Sequence, residues 1–161
     1  MTIAIYAGTF DPITLGHLSV IQESVKLFAH TRVLVAVNPK KKTMFTLEER
    51  IALAHELVGP MPTVTVDGTE GYVVHYARRI GATVLVRGLR GAADAAYETD
   101  LAQQNREIAP EIMTVMLASD PALSQVSSSE LKRRAKAGQP IGEFAPPNVA
   151  AALLDRLGSS S

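Results

Sequence analysis

The chain has 161 residues, 47% of them apolar and 20% charged, which suits one well-packed domain and argues against disorder. Sixteen Lys and Arg balance sixteen Asp and Glu, so the chain lacks the overall basic field of a non-specific nucleic-acid binder or a membrane-surface protein. The absence of cysteine excludes disulfides, thiolate metal sites and Cys nucleophiles, and no apolar run approaches the roughly 18 residues of a membrane helix.

The start, Met1 to Ala7, has neither the basic beginning nor the apolar stretch of a secretory leader, so a cytoplasmic protein is expected. Short β-branched runs then alternate with helical patterns, the arrangement of an α/β domain on a parallel sheet. The first strand is predicted at Ile3–Ala7. Leu18, Ile21, Val25 and Phe28 follow at helical spacing, with Ser19, Gln22, Glu23 and Lys26 on the opposite face. A second strand is predicted at Val33–Val37. Thr46 to Glu49 spells a Thr-x-x-Glu capping box, and Leu47, Ile51, Ala54 and Val58 carry the next helix to Gly59-Pro60. Next come a strand at Val64–Asp67, a helix from Tyr72 to Ile80 closed by Gly81, a strand at Thr83–Val86, an Ala-rich helix from Ala92 to about Ile108, and a strand at Met113–Ala118. Ser127 to Glu130 is a second capping box, opening a basic helix that reaches Ala137. Gly138 to Pro147 is expected to be a surface connection, Val149, Leu153 and Leu157 mark a last helix, and Ser159–Ser161 should fray. The nearly continuous apolar strands imply a sheet covered on both faces. The expected architecture is a single α/β domain over residues 1–158: a doubly wound, Rossmann-like, five-stranded parallel sheet with helices on both faces.

The polar residues that stand out from this pattern follow the carboxyl ends of the strands. Gly8-Thr-Phe-Asp-Pro-Ile-Thr-Leu-Gly-His17 comes after the first, Asn38-Pro-Lys-Lys-Lys42 after the second, Arg87-Gly-Leu-Arg90 after the fourth and Ser127-Ser-Ser129 after the fifth. In a parallel open sheet those ends share one edge, and ligands bind in the crevice outside it. Lysines, arginines, hydroxyls and helix N-termini all hold phosphate oxygens, so a polyanionic ligand is expected. Each feature alone has a blander reading: Lys40 to Lys42 as a solvated loop, Arg87 and Arg90 as surface ion pairs, the serines as a helix cap, Asp94 and Glu98 as a polar helix face. His17, behind a glycine at a helix start, should be kept neutral by the helix N-terminus and offer an N–H to the ligand, whereas His30, His55 and His75 read as exposed or satisfied. No G-x-x-x-x-G-K-[ST], G-x-G-x-x-G, H-E-x-x-H or G-x-S-x-G occurs, so the common phosphate-loop, dinucleotide, zinc-protease and nucleophile-elbow readings lack support.

Gly8-Thr-Phe-Asp-Pro12 with Thr14-Leu-Gly-His17 resembles the T/H-x-G-H signature of the nucleotidyltransferase superfamily. Lys41 to Arg50, Arg87 to Arg90, Tyr97-Glu98, Asn105 and Val126 to Ser129 extend the resemblance, in order and at matching spacing, to bacterial phosphopantetheine adenylyltransferase. The resemblance implies transfer of the adenylyl group of ATP to 4′-phosphopantetheine, giving dephospho-coenzyme A and pyrophosphate, the penultimate step of coenzyme A synthesis. It implies in-line attack by the acceptor phosphate with no covalent intermediate, Mg²⁺ as cofactor, a homohexamer and feedback inhibition by coenzyme A. By position, the catalytic set would be Thr9, His17, Lys41, Arg87 and Arg90, with Thr9, Lys41 and Arg87 on the acceptor phosphate and His17 facing the α-phosphate. Thr9, Phe10, His17, Gly88, Leu89, Arg90, Glu98, Leu123, Ser124, Gln125, Val126, Ser127, Ser128 and Ser129 would line the ATP site. Val73, Leu101 and Asn105 would lie along the pantetheine arm. The chain departs from the family's habit at Ala7, Ala95-Ala96, Leu123 and Arg133, positions that bear on adenine packing, pantetheine contacts and the subunit interface. Two other readings stay open: a related nucleotidyltransferase with another acceptor, and a nucleotide- or coenzyme A-binding module without catalysis.

Overall fold

The computed structural model describes residues 1–158; the expected frayed end at 159–161 lies outside the described residues. Strands β1 (Ile3–Gly8), β2 (His30–Ala36), β3 (Val64–Thr69), β4 (Val84–Leu89) and β5 (Met113–Ala118) form one parallel sheet in the order β3-β2-β1-β4-β5. The helices are α1 (Leu15–Leu27), α2 (Leu47–Val58), α3 (Val73–Ile80), α4 (Ala92–Ile108), α5 (Pro121–Ser124), α6 (Ser128–Lys136) and α7 (Pro147–Gly158). None of the described helices is long and apolar enough to cross a membrane.

Successive strand residues point to opposite faces, and both faces are apolar. Ala4, Tyr6, Val33, Val35 and Val86 pack toward Val20 and Ile21 of α1, Ala54 and Val58 of α2, Leu131 of α6 and Leu153 of α7. Ile5, Ala7, Leu34 and Leu85 pack toward Val74, Tyr76 and Ala77 of α3 and Ala109 at the end of α4. The doubly wound α/β fold expected from the alternation is therefore the fold found. Both expected capping boxes start helices, but through their N-cap half alone: Thr46 Oγ1 accepts the Glu49 amide at 3.1 Å and Ser127 Oγ accepts the Glu130 amide at 3.2 Å, while the Glu49 carboxylate pairs with Arg156 and that of Glu130 with Arg133 and Arg134.

Four expectations need correction, each for a physical reason. β2 starts at His30 rather than Val33, because its polar residues find partners: Thr31 Oγ1 lies 2.7 Å from Ser24 Oγ in the core, and Arg32 Nε donates to Thr65 Oγ1 at 2.6 Å. The short α5 was not foreseen; Asp120 caps it by accepting the Ala122 amide at 2.9 Å, ahead of Pro121 in its first turn. The sheet is not covered evenly, since β5 is an edge strand with Met113 61% exposed, and α4 buries only Glu98. The Gly138–Pro147 connection is half core, because Ile141, Phe144 and Ala145 share one side of a helical turn; Ile141 and Ala145 are buried.

Close packing of α1 on β4 depends on Gly88, where a Cβ would come 2.9 Å from Val20 Cγ2. Val20 is buried and stiff at χ1, so it has little room to yield. Gly88→Ala is expected to destabilise the fold by about 1–3 kcal/mol. In urea unfolding, the Gly88→Ala, Val20→Ala double variant should lose less than the sum of the single variants. Strict additivity would show that this contact does not restrict position 88.

Candidate active site

β1 continues into α1 on one face of the sheet and β4 into α4 on the other, so the carboxyl ends of these adjacent strands flank an opening. A cleft of about 620 Å³ occupies it, lined by Tyr6, Ala7, Thr9, Phe10, Asp11, Thr14, Gly16, His17 and Val20, by Lys41, Lys42 and Thr43, by Arg87, Gly88 and Arg90, and by Ser119, Ser124, Val126 to Ser129 and Lys132. The four polar segments singled out in the sequence meet there.

The loop from β1 to α1 is tethered from several sides. Asp11 is buried and accepts the amides of Met44 and Phe45, both at 2.9 Å, and Lys132 Nζ at 2.8 Å. Burial opposes its ionisation, but Lys132 and the two amides outweigh burial and hold the carboxyl below the usual carboxylate range. Arg50, also buried, donates to the Thr9 carbonyl at 2.8 Å, and Ser128 Oγ donates to the Pro12 carbonyl at 2.8 Å. Between these ties Phe10 takes a φ of 48°, a left-handed conformation that is strained for a bulky residue. Its ring meets Tyr6 and His17 edge-on, with centroids 5.3 and 4.9 Å away.

His17 occupies the third position of α1 in an unusual capping box. Thr14 Oγ1 accepts the His17 amide at 3.2 Å, and His17 Nδ1 accepts the Thr14 amide at 3.0 Å. With Nδ1 acting as acceptor, the ring proton belongs on Nε2, the donor this side chain can offer the cleft. Burial first, then the charges of Arg90 and Arg87, brings the imidazole pKa from 6.5 down to about 4. The neutrality expected from the helix start is therefore mainly an effect of burial. Gly16 just before it lets α5 lie against α1: a Cβ there would sit 3.2 Å from Ser124 Cα and 3.3 Å from the Leu123 carbonyl oxygen.

The two arginines are already engaged. Arg87 Nε and Nη2 grip Glu98 at 2.7 and 3.0 Å, and Nη1 donates to the Ala7 carbonyl at 3.1 Å. Arg90 Nε and Nη2 bind Asp94 at 3.1 and 3.2 Å. Asp94 and Glu98 stand one turn apart on α4, so this polar helix face orients both cations at the cleft. Lys41 and Lys42 are exposed on the loop after β2.

Of the residues named from sequence, Thr9, Phe10, His17, Lys41, Arg87, Gly88, Arg90, Ser124 and Val126 to Ser129 line the cleft. Leu89, Glu98, Leu123 and Gln125 do not. The Leu89 carbonyl accepts the Ser119 amide at 2.9 Å and hydroxyl at 3.1 Å, Glu98 is taken by Arg87, the Leu123 carbonyl faces Gly16, and Gln125 is exposed. Val73 on α3 and Leu101 and Asn105 on α4 are half-buried outside the lining, on the helices covering the other face. Sequence reasoning missed Asp11, Arg50 and Lys132 as site builders. The local signal was at Asp11, a charge set between Phe10 and Pro12, whereas Arg50 directly follows Glu48 and Glu49 and blends into a charged stretch. Among the described residues no group of three His, Asp or Glu could hold a metal ion.

Two comparisons bear on this arrangement. The fold matches a solved structure from Vibrio parahaemolyticus described as a nicotinate-nucleotide adenylyltransferase, over 100% of this chain and 98% of that one, with a TM-score of 0.75 and 20% sequence identity. Residues 5–134 match the cytidylyltransferase-like family, a stretch that runs from β1 into α6 and contains every residue lining the cleft. The chain is thus a member of the cytidylyltransferase-like family, within the nucleotidyltransferase superfamily.

Proposed function

We propose that this nucleotidyltransferase moves the adenylyl group of ATP onto 4′-phosphopantetheine, releasing pyrophosphate and forming dephospho-coenzyme A. The supporting observation is the meeting of Thr9, His17, Lys41, Arg87, Arg90 and the Ser127–Ser129 helix start around one cleft. A phosphomonoester is already an attacking oxyanion, so the protein needs no nucleophile of its own. Its task is to align two polyanions that repel each other and to meet charge developing on the α-phosphoryl oxygens. A unit charge pair about 4 Å apart contributes about 4 kcal/mol at an effective dielectric near 20, so a few local cations suffice on a chain of zero net charge.

In this reading Thr9 and Lys41 hold the attacking phosphate, with Arg87 set beside them by its Glu98 clamp. Neutral His17 donates from Nε2 to the α-phosphoryl oxygen. Arg90 and the α6 N-terminus receive the β- and γ-phosphates. Val73, Leu101 and Asn105 meet the pantetheine arm where it runs along α3 and α4. Magnesium enters with the triphosphate. Asp11, the carboxylate of the lining, is committed to Lys132 and two amides, so the residues present do not make a dedicated magnesium site and no step is assigned to it. A cytoplasmic homohexamer inhibited by coenzyme A belongs to the same proposal.

Supplying ATP or CTP with magnesium and one acceptor at a time, and following pyrophosphate, tests the assignment. Release is expected with ATP and 4′-phosphopantetheine. Release only with another acceptor, such as nicotinate mononucleotide, would move the assignment to that acceptor, and none with any would leave a binding module. Lys41→Ala should raise KM for the acceptor far more than KM for ATP; no difference would return Lys41 to a solvated loop. His17→Gln should lower kcat by about 10²–10³ while KM for ATP stays within a few-fold.

The pH dependence of stability carries its own sign. The folded His17 pKa near 4 lies below the ordinary 6.5, so on acidification the unfolded chain takes up this proton first. Stability is unaffected by His17 above pH 6.5 and falls as pH drops from 6.5 toward 4. Urea unfolding across that range should show a shallower decline for His17→Gln than for the wild type. Parallel declines would mean that His17 titrates normally in the fold.

A further inference from the structure

The stretch after residue 134 lies outside the family match, yet it grips both loops that border the cleft. The Phe144 carbonyl accepts the amide of Leu15, the first residue of α1, at 2.9 Å. On α7, Arg156 Nη1 donates to the Met44 carbonyl at 2.7 Å, Nη2 pairs with Glu49, and the guanidinium lies 5.0 Å over the Phe45 ring. The same two residues are held from the other side, where their amides donate to Asp11. Asn148, near the start of α7, adds a bond to the Leu53 carbonyl of α2 at 3.2 Å.

Met44 and Phe45 are therefore the anchored end of the loop that carries Lys41. At its other end the Lys41 amide closes a turn onto the Asn38 carbonyl at 3.0 Å. Three residues of chain span at most about 11 Å, so the place of Met44 limits the place of Lys41. We propose that Arg156 is a positioning residue for Lys41: from α7 it fixes the Met44–Phe45 end of the loop and thereby sets where this cation meets the acceptor's phosphate. A guanidinium suits the task, because its fork reaches a carbonyl and a carboxylate together while its plane covers an aromatic ring. A lysine would supply the charge without the fork. This role presupposes that Lys41 holds the acceptor phosphate, as proposed above.

A mutant cycle on the full chain, with Arg156→Ala, Arg156→Lys, Lys41→Ala and the Arg156→Ala, Lys41→Ala double variant, tests it. Arg156→Ala should raise KM for 4′-phosphopantetheine roughly tenfold and leave KM for ATP nearly unchanged, with Arg156→Lys intermediate. In the Lys41→Ala background the same substitution should add little. Equal shifts in both KM values, or full additivity with Lys41→Ala, would overturn the proposal and leave Arg156 a stabilising contact only. Amide hydrogen exchange of the ligand-free protein decides the point without any acceptor. Arg156→Ala should speed exchange across residues 41–46 while α1 and α6 keep wild-type protection, and unchanged exchange at 41–46 would overturn the positioning role. A wild type that uses a different acceptor would sink the proposed reaction while the exchange result still stood.

Discussion

A parallel sheet wound outward from a central strand must part its connections beside that strand, and the parting between β1 and β4 is the constraint on which this molecule depends. α1 leaves toward one face and α4 toward the other, so neither helix can cover the carboxyl ends they come from. Because all five strands run the same way, the loops after β1, β2, β4 and β5 arrive at the same edge. Reversing any one of them would send its polar residues to the far side. Parallelism thus gathers cations and hydroxyls from remote stretches into one cleft, which explains how a chain with no net charge presents a locally basic site.

Topology supplies proximity, and buried polar partnerships turn it into geometry. Asp11 binds the loop after β2 and helix α6 at once, and Arg50 reaches back to the Thr9 carbonyl. A buried charge left unpaired would be strongly destabilising, so each such residue locks its neighbours in place by requiring all of its partners. Among the described residues no buried side-chain nitrogen or oxygen lacks a hydrogen-bond partner. That completeness is what sustains the left-handed Phe10 in the middle of the first loop.

The existence and type of the major elements were legible because they follow local rules: apolar period, capping boxes at Thr46 and Ser127, and glycine and proline stops. Their ends were less so. β2 could begin among polar residues because Thr31 meets Ser24 and Arg32 meets Thr65, pairings across 7 and 33 residues that no local pattern announces. The same holds for the site. Strand-end position was enough to find Thr9, His17, Lys41, Arg87, Arg90 and the serine run. Asp11 and Lys132 stayed hidden because their bond joins residues 121 apart, and Arg50 because it reads as one more charge on a surface helix while its side chain turns inward. Leu101 and Asn105, named through resemblance alone, share a face of α4 with Glu98 but stand apart from the cleft lining.

Arg87 and Arg90 face their opening with carboxylates already in hand. An incoming phosphate therefore meets an exchange of partners rather than bare positive charge. A small anion offers one group against a fork held by the fold, and competes poorly. A nucleotide that reaches the helix start, the histidine and both arginines together gains from simultaneous engagement. Pre-paired cations of this kind favour a ligand long enough to touch several posts at once over one that can reach only a single post.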